Sequence, residues 1–211
     1  MRNKTITWTM AALDRDGISV AQKRTGAGAL TITGDLASGG VATMDVARHI
    51  GVYCAGDINT VVFTITGTDR YGHAISETIT GVNATTVNGN KNFKTVTAVA
   101  TSATVGTDVE VGTTDEAETQ LWPVNYRGGG VTYQVRLSAS ASLTWALEYT
   151  NENVLKPAFL EDTAEYHTDL TGQTAGNMNT SVGPFTACRL AITDWTTADD
   201  SVYWMISQSD V

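Results

Sequence analysis

The sequence predicts an all-β protein: two antiparallel β-sandwich-like domains, jelly-roll or Ig-like, preceded by an N-terminal arm. Two observations carry that expectation. First, apolar and polar residues alternate with period two in run after run, which sends one set of side chains to a buried face and the other outward. The clearest case is Thr60–Gly81. There Val61, Phe63 and Ile65, then Ile75 and Ile79, flank an insert holding Gly67, Asp69 and Gly72, residue types that let a chain reverse direction. Second, most of the thirty-five threonines fall inside such runs. A β-branched side chain favours extended backbone, and its hydroxyl suits a half-exposed sheet face.

Residues 1–25 form the expected arm, within which Ile18–Lys23 reads as a short strand or a turn of helix. A first sandwich spans 26–112. Gly26–Gly34 reads as a strand with Leu30 and Ile32 on one side, and a Ser38-Gly39-Gly40 turn leads to Val41–Val46. Ile50–Ala55 precedes the Thr60–Gly81 hairpin. Asn83–Lys91 reads as a turn or loop. Phe93, Thr95, Thr97 and Val99 then alternate against Lys94, Val96 and Ala98, and Val105–Gly112 closes the domain. Short strands with Gly, Asn and Asp between them suggest a sandwich or barrel.

The stretch 113–120, TTDEAETQ, is charged and poor in apolar residues, and is the expected linker. The second sandwich spans 121–211, with strands at Leu121–Val124, Val131–Leu137, Leu143–Thr150, Phe185–Thr193 and Val202–Ser207. Arg127-Gly128-Gly129-Gly130 reads as a loop, because no helix pattern follows to supply phosphate-binding amides. Residues 151–183 are acidic, polar and aperiodic, as in long loops that make contacts.

Charge is unevenly spread: +3 over residues 1–25 and −8 over residues 148–211, within a net −9. An acidic body argues against nucleic acid as partner, since phosphate contact needs clustered Lys and Arg. The first twelve residues lack the apolar core of a signal peptide, and no apolar run approaches the roughly 20 residues of a membrane span. The expectation is a protein retained in a reducing cytoplasm, with Cys54 and Cys188 as buried thiols.

No reaction chemistry is legible, and no catalytic, cofactor or metal residues are assigned. His49, His73 and His167 share no ligand spacing. Asp14-Arg15-Asp16-Gly17 opens like a calcium loop but lacks its later oxygens. Asp199-Asp200 and Glu161-Asp162 read as acidic turns. Trp145 and Trp204 alternate in phase with apolar neighbours and belong to the core. Trp122 and Trp195 sit beside loops, where an exposed indole would serve an oligomer interface or, as an alternative, a sugar.

Two segments resemble virion structural proteins of tailed bacteriophages, of the capsid decoration (cement) or head–tail accessory type. One is TVVFTITGTDRYGHAISETITG, residues 60–81, with the strand Asn92–Val99. The other comprises Glu148-Tyr149-Thr150, then Pro184–Thr193 with Arg189, then Ser201–Gln208. The chain departs from that pattern at Asn151-Glu152-Asn153 and at Trp204-Met205. The resemblance implies a non-enzymatic decoration protein that is assembled in the host bacterial cytoplasm and located in the virion. The implied partners are the major capsid protein or other virion proteins, and a homo-oligomer, with a trimer favoured. The alternatives are a head–tail or tail accessory protein and a carbohydrate-binding module. The arm offers a basic, apolar edge of Ile6, Trp8, Met10, Leu13, Lys23 and Arg24 as the expected protein interface. Deleting residues 1–24 is then expected to leave both sandwiches folded.

Overall fold

The structure, a computed structural model, describes residues 2–124, 131–138, 142–156, 159–175, 178–182, 185–196 and 200–208. In chain order the strands are β1 (Arg2–Trp8), β2 (Ser19–Arg24), β3 (Gly28–Ala29), β4 (Ala37–Ser38), β5 (Val41–Arg48), β6 (Ile50–Cys54), β7 (Val62–Thr68), β8 (Ala74–Thr80), β9 (Thr86–Asn88), β10 (Phe93–Thr101) and β11 (Val105–Thr113). They continue with β12 (Ala117–Glu118), β13 (Trp122–Pro123), β14 (Val131–Leu137), β15 (Thr144–Thr150), β16 (His167–Gln173), β17 (Met178–Val182), β18 (Ala187–Thr193) and β19 (Val202–Gln208). One 3-10 turn, Glu161–Thr163, is the only helical element among the described residues. The fold is all-β and of sandwich type.

The chain forms two compact units, residues 13–117 and residues 1–12 together with 118–211. One unit is therefore inserted in the sequence of the other. We call them the inserted roll and the host roll.

In the inserted roll the sheets run β2-β11-β6-β9 and β4-β5-β10-β7-β8, with β3 on β10. Setting aside the two-residue β3 and β4, eight strands remain. The first pairs with the eighth, the second with the seventh, the third with the sixth and the fourth with the fifth. That is a long hairpin folded over on itself, the jelly roll. The host roll repeats it, with sheets β1-β19-β14-β17 and β12-β18-β15-β16, and with β13 also on β18. Of the two sandwich types expected, both units have the jelly-roll order.

Apolar side chains from both sheets meet in the inserted roll's core: Val52, Val109 and Val111 from one, Met44, Phe63, Ile65, Val96 and Val99 from the other. Phe63 and Ile65 are buried and Thr66 is exposed, as alternation requires. Strand β10 departs from the expected faces. Its buried residues are Phe93, Val96, Val99 and Thr101, because register shifts against β5 and β7 add a residue and turn the strand. Gly67 lies where β7 crosses β10 so closely that a Cβ would sit 1.9 Å from the Thr95 carbonyl oxygen.

The ends of the inserted roll are pinned together. Thr113 N–H donates to the Asp14 carbonyl at 2.8 Å, and Asp14 N–H donates to Thr113 Oγ1 at 2.9 Å. Gly112 permits this approach, since a Cβ there would lie 1.9 Å from the same carbonyl oxygen. Adjacent entry and exit are what allow a folded unit to interrupt another.

The expected arm is not an arm. Residues 2–8 are β1, the first strand of the host roll, in unbroken antiparallel register with β19 from Arg2↔Gln208 to Trp8↔Val202. The inserted roll begins at Leu13, ahead of the expected boundary at 26. The sandwich expected at 121–211 lacks its first strand without residues 1–12, so the 1–24 deletion removes framework. The units change over between Ala117 and Glu118, within 113–120, yet that stretch is no solvated spacer. Thr113, Thr114, Ala117 and Thr119 are each 1% exposed, and Thr119 N–H donates to the Leu190 carbonyl.

Three further segments differ from expectation. Thr86–Asn88 in the expected 83–91 loop is β9, and the aperiodic 151–183 segment holds β16 and β17. Strand β16 is almost wholly exposed on both faces, so no apolar alternation marks it. Only Gly28–Ala29 of the expected 26–34 strand is extended in a ladder.

Candidate functional site

The six residues expected to form one interface are divided between the units. Ile6, Trp8 and Met10 belong to the host roll, whereas Leu13, Lys23 and Arg24 belong to the inserted roll. Ile6 is half-buried opposite Trp204. Trp8 meets Trp195 edge to face, with centroids 5.4 Å apart and planes at 89°, the favoured aromatic geometry. Met10 is buried. The apolar edge is thus satisfied within its own chain, which is the physical reason it makes no free arm. Leu13 and Lys23 face solvent; Arg24 is half-buried against Gly28, which has no Cβ to collide with its guanidinium.

The motif that carries the first resemblance builds a self-capped hairpin tip. Asp69 is 7% exposed. Its Oδ1 accepts the Tyr71 and His73 backbone N–H groups, both at 2.8 Å, and its Oδ2 lies 3.0 Å from His73 Nδ1. Gly72 takes φ 84° in this turn, a conformation open to glycine at little cost. The result is a rigid tip that holds Tyr71 44% exposed.

The second motif centres on Arg189 of β18. Its Nε donates to Glu148 Oε2 on β15 at 2.8 Å, and its Nη1 to Glu161 Oε1 at 3.4 Å. The guanidinium lies 3.6 Å over the Tyr166 ring, a cation–π contact. Burial alone would lower its pKa, but Glu118, Tyr166, Glu148 and Glu161 together hold it above the usual arginine value. The cluster staples the 3-10 turn to the sheet, a framework role with no free acid or base.

A cleft of about 470 Å³ opens in the host roll between Pro123 and Val124 on one side and Asn151, Asn153 and Leu155 on the other, with Phe185 among its lining. Asn153 Oδ1 accepts the Leu155 N–H at 3.1 Å, and the Thr186 hydroxyl donates to the Thr150 and Glu152 carbonyls. Leu155 stands 78% exposed at the lip. The cleft was missed in the sequence; its signal was an apolar Val154-Leu155 pair inside an acidic, polar segment.

The indoles proposed as sugar platforms are otherwise engaged. Trp195 is 1% exposed, and Lys4 Nζ lies 4.4 Å over the Trp122 ring. Cys54 and Cys188 are buried free thiols. Arg15–Gly17 lie in a bend, and Glu161-Asp162 lies in the 3-10 turn. The glycines 128–130 and Asp199 lie outside the described residues. Among the described residues no three His, Cys, Asp or Glu side chains gather as a metal site, and no helix is long and apolar enough to cross a membrane. No protein-family model matches the chain, and no curated protein matches it in sequence.

Proposed function

We propose that this protein is a structural component of a tailed-phage virion, acting as a decoration protein on the capsid. The observation that carries the reading is the resemblance of residues 60–81 and 184–208 to such proteins. Those segments encode the hairpin tip held by Asp69 and the strand held by Arg189. Two rigid jelly rolls joined in one chain suit a mechanical role. Each copy bridges neighbouring shell subunits, and burial of surface that only the mature shell presents stabilises that state by mass action. Each roll offers its own contact: exposed Leu155 at the host roll's cleft, and Tyr71 at the inserted roll's tip. The expected arm has no part in either.

Labelling the protein on intact virions tests this directly. Many copies spread over the head, lost together with shell stability when Leu155→Asp is introduced, is the expected result. A few copies at one vertex would point instead to a head–tail role, and absence from the virion would overturn the reading.

A further inference from the structure

We infer that β1 is an exchangeable strand through which two copies of this chain link, each completing the host roll of the other. The argument starts from connectivity. From β13 on, each strand of the host roll follows its predecessor within that roll. β1 alone is joined to the rest of its unit through another folded unit, residues 13–117. No hairpin holds it to β19, its only neighbour in the sheet among the described residues. The pairing itself is strong and specific. Seven residues align in register, Trp8 packs on Trp195, Lys4 covers Trp122, and Met10 is buried.

All these contacts lie on one side of the exposed residues Ala11, Ala12 and Leu13. A copy that donates β1 to a neighbour therefore keeps the β19 pairing and the Trp195 and Trp122 contacts it makes at home. Exchange of an identical element is a low-barrier route to association. The choice between self and neighbour is then set by local concentration against the effective concentration of the tether, which lies in the mM range for short flexible linkers. Dilute protein is self-closed, and crowded protein is cross-linked. The inference is independent of the virion reading and requires only that copies meet at high density.

Cysteine placement separates the two forms. Thr7 and Tyr203 are exposed register partners. The double variant Thr7→Cys/Tyr203→Cys gives a disulfide within one chain when self-closed. A mixture of the two single variants gives a disulfide between chains only if β1 is exchanged. The variants are co-incubated as full-length protein over a concentration series, oxidised with diamide and resolved by non-reducing mass spectrometry. The expected result is a heterodimer in which the Thr7→Cys chain is disulfide-linked to the Tyr203→Cys chain through the two introduced thiols. Its yield rises with concentration and falls several-fold when a peptide of residues 2–10 is added. A second register pair, Thr5→Cys with Met205→Cys, guards against unsuitable local geometry. If both double variants close internally and neither mixture exceeds a Thr7→Cys/Thr66→Cys control at any concentration, the inference is overturned.

Discussion

The two rolls share one strand order and differ in how the chain closes them. The inserted roll is continuous, its ends bonded through Asp14 and Thr113, and its core is built from Val, Ile, Phe and Met. The host roll is split, and it holds all five tryptophans. Trp145, Trp195 and Trp204 are buried there, with indole N–H groups that find no acceptor among the described residues. Each roll also buries an arginine, in opposite surroundings. Burial lowers the pKa of Arg48, which donates to the Thr114 carbonyl and to a half-exposed Asp45. Arg189 sits among carboxylates that raise it. The same topology is thus reached with a self-sufficient apolar core in one case and with long-range closure plus ionic staples in the other.

Dependence between the rolls should run one way. When the inserted roll is folded, β1 and the remainder of the host roll are joined by a short connection. When it is unfolded, the whole of 13–117 becomes an open loop, which weakens host closure by roughly 2 kcal/mol. The largest effect is expected from Ile65→Asp, which forces a carboxylate into a site that is 0% exposed. It should unfold the inserted roll and lower the denaturant midpoint of the host roll as well. Tryptophan fluorescence reads the host roll alone, and circular dichroism reads both. Deleting residues 1–12, or Trp145→Ala at about 3–5 kcal/mol, should unfold the host roll and leave the β signal of the inserted roll. Equal damage to both units from either lesion would break the one-way order.

Next in size are the arginines. Arg189→Met takes the shared cation away from buried Glu161 and half-buried Glu148 and should cost about 3–5 kcal/mol. Arg48→Met orphans mainly a carbonyl and should cost less, about 1–3 kcal/mol. Urea midpoints compare them.

Alkali sharpens the contrast further. Burial pushes the Tyr53 hydroxyl up to about 12, and it donates to the Thr113 carbonyl at 2.8 Å. The folded state favours the neutral phenol. Its contribution is therefore full below about pH 10, where an unfolded tyrosine titrates, and is lost as pH rises toward about 12. Tyr53→Phe should flatten that loss in the inserted roll. Burial raises the Cys188 thiol as well, so the host roll should begin to weaken lower, from about pH 8.5. The smallest effect expected is Thr66→Asp, within about 0.5 kcal/mol, because Thr66 is exposed next to Ile65.

Local order was legible where one face is apolar and the other polar. The β7–β8 hairpin, β14, β15 and β19 read directly from alternation. Strand β16 did not, because an edge strand with both faces in solvent carries no pattern. The β10 bulge was invisible because it depends on two neighbouring strands. The nesting of the rolls escaped for a related reason. Ile6, Trp8 and Met10 look like a sticky edge in sequence, and nothing local says that Ile6 and Trp8 pair with β19 of the same chain. Of the Arg189 cluster only the strand motif is legible in the sequence, since Glu148, Glu161 and Tyr166 meet it through tertiary packing.

The bond between Asp14 and Thr113 makes residues 13–117 a cassette. A segment whose two ends leave at neighbouring backbone positions can be lifted out and replaced by anything of equal span. A host roll in which 13–117 is exchanged for a short Gly/Ser turn should fold and keep its tryptophan signal, since closure would again be local. The same junction would accept a foreign domain with adjacent termini, giving a fusion displayed from within the roll instead of from a chain end.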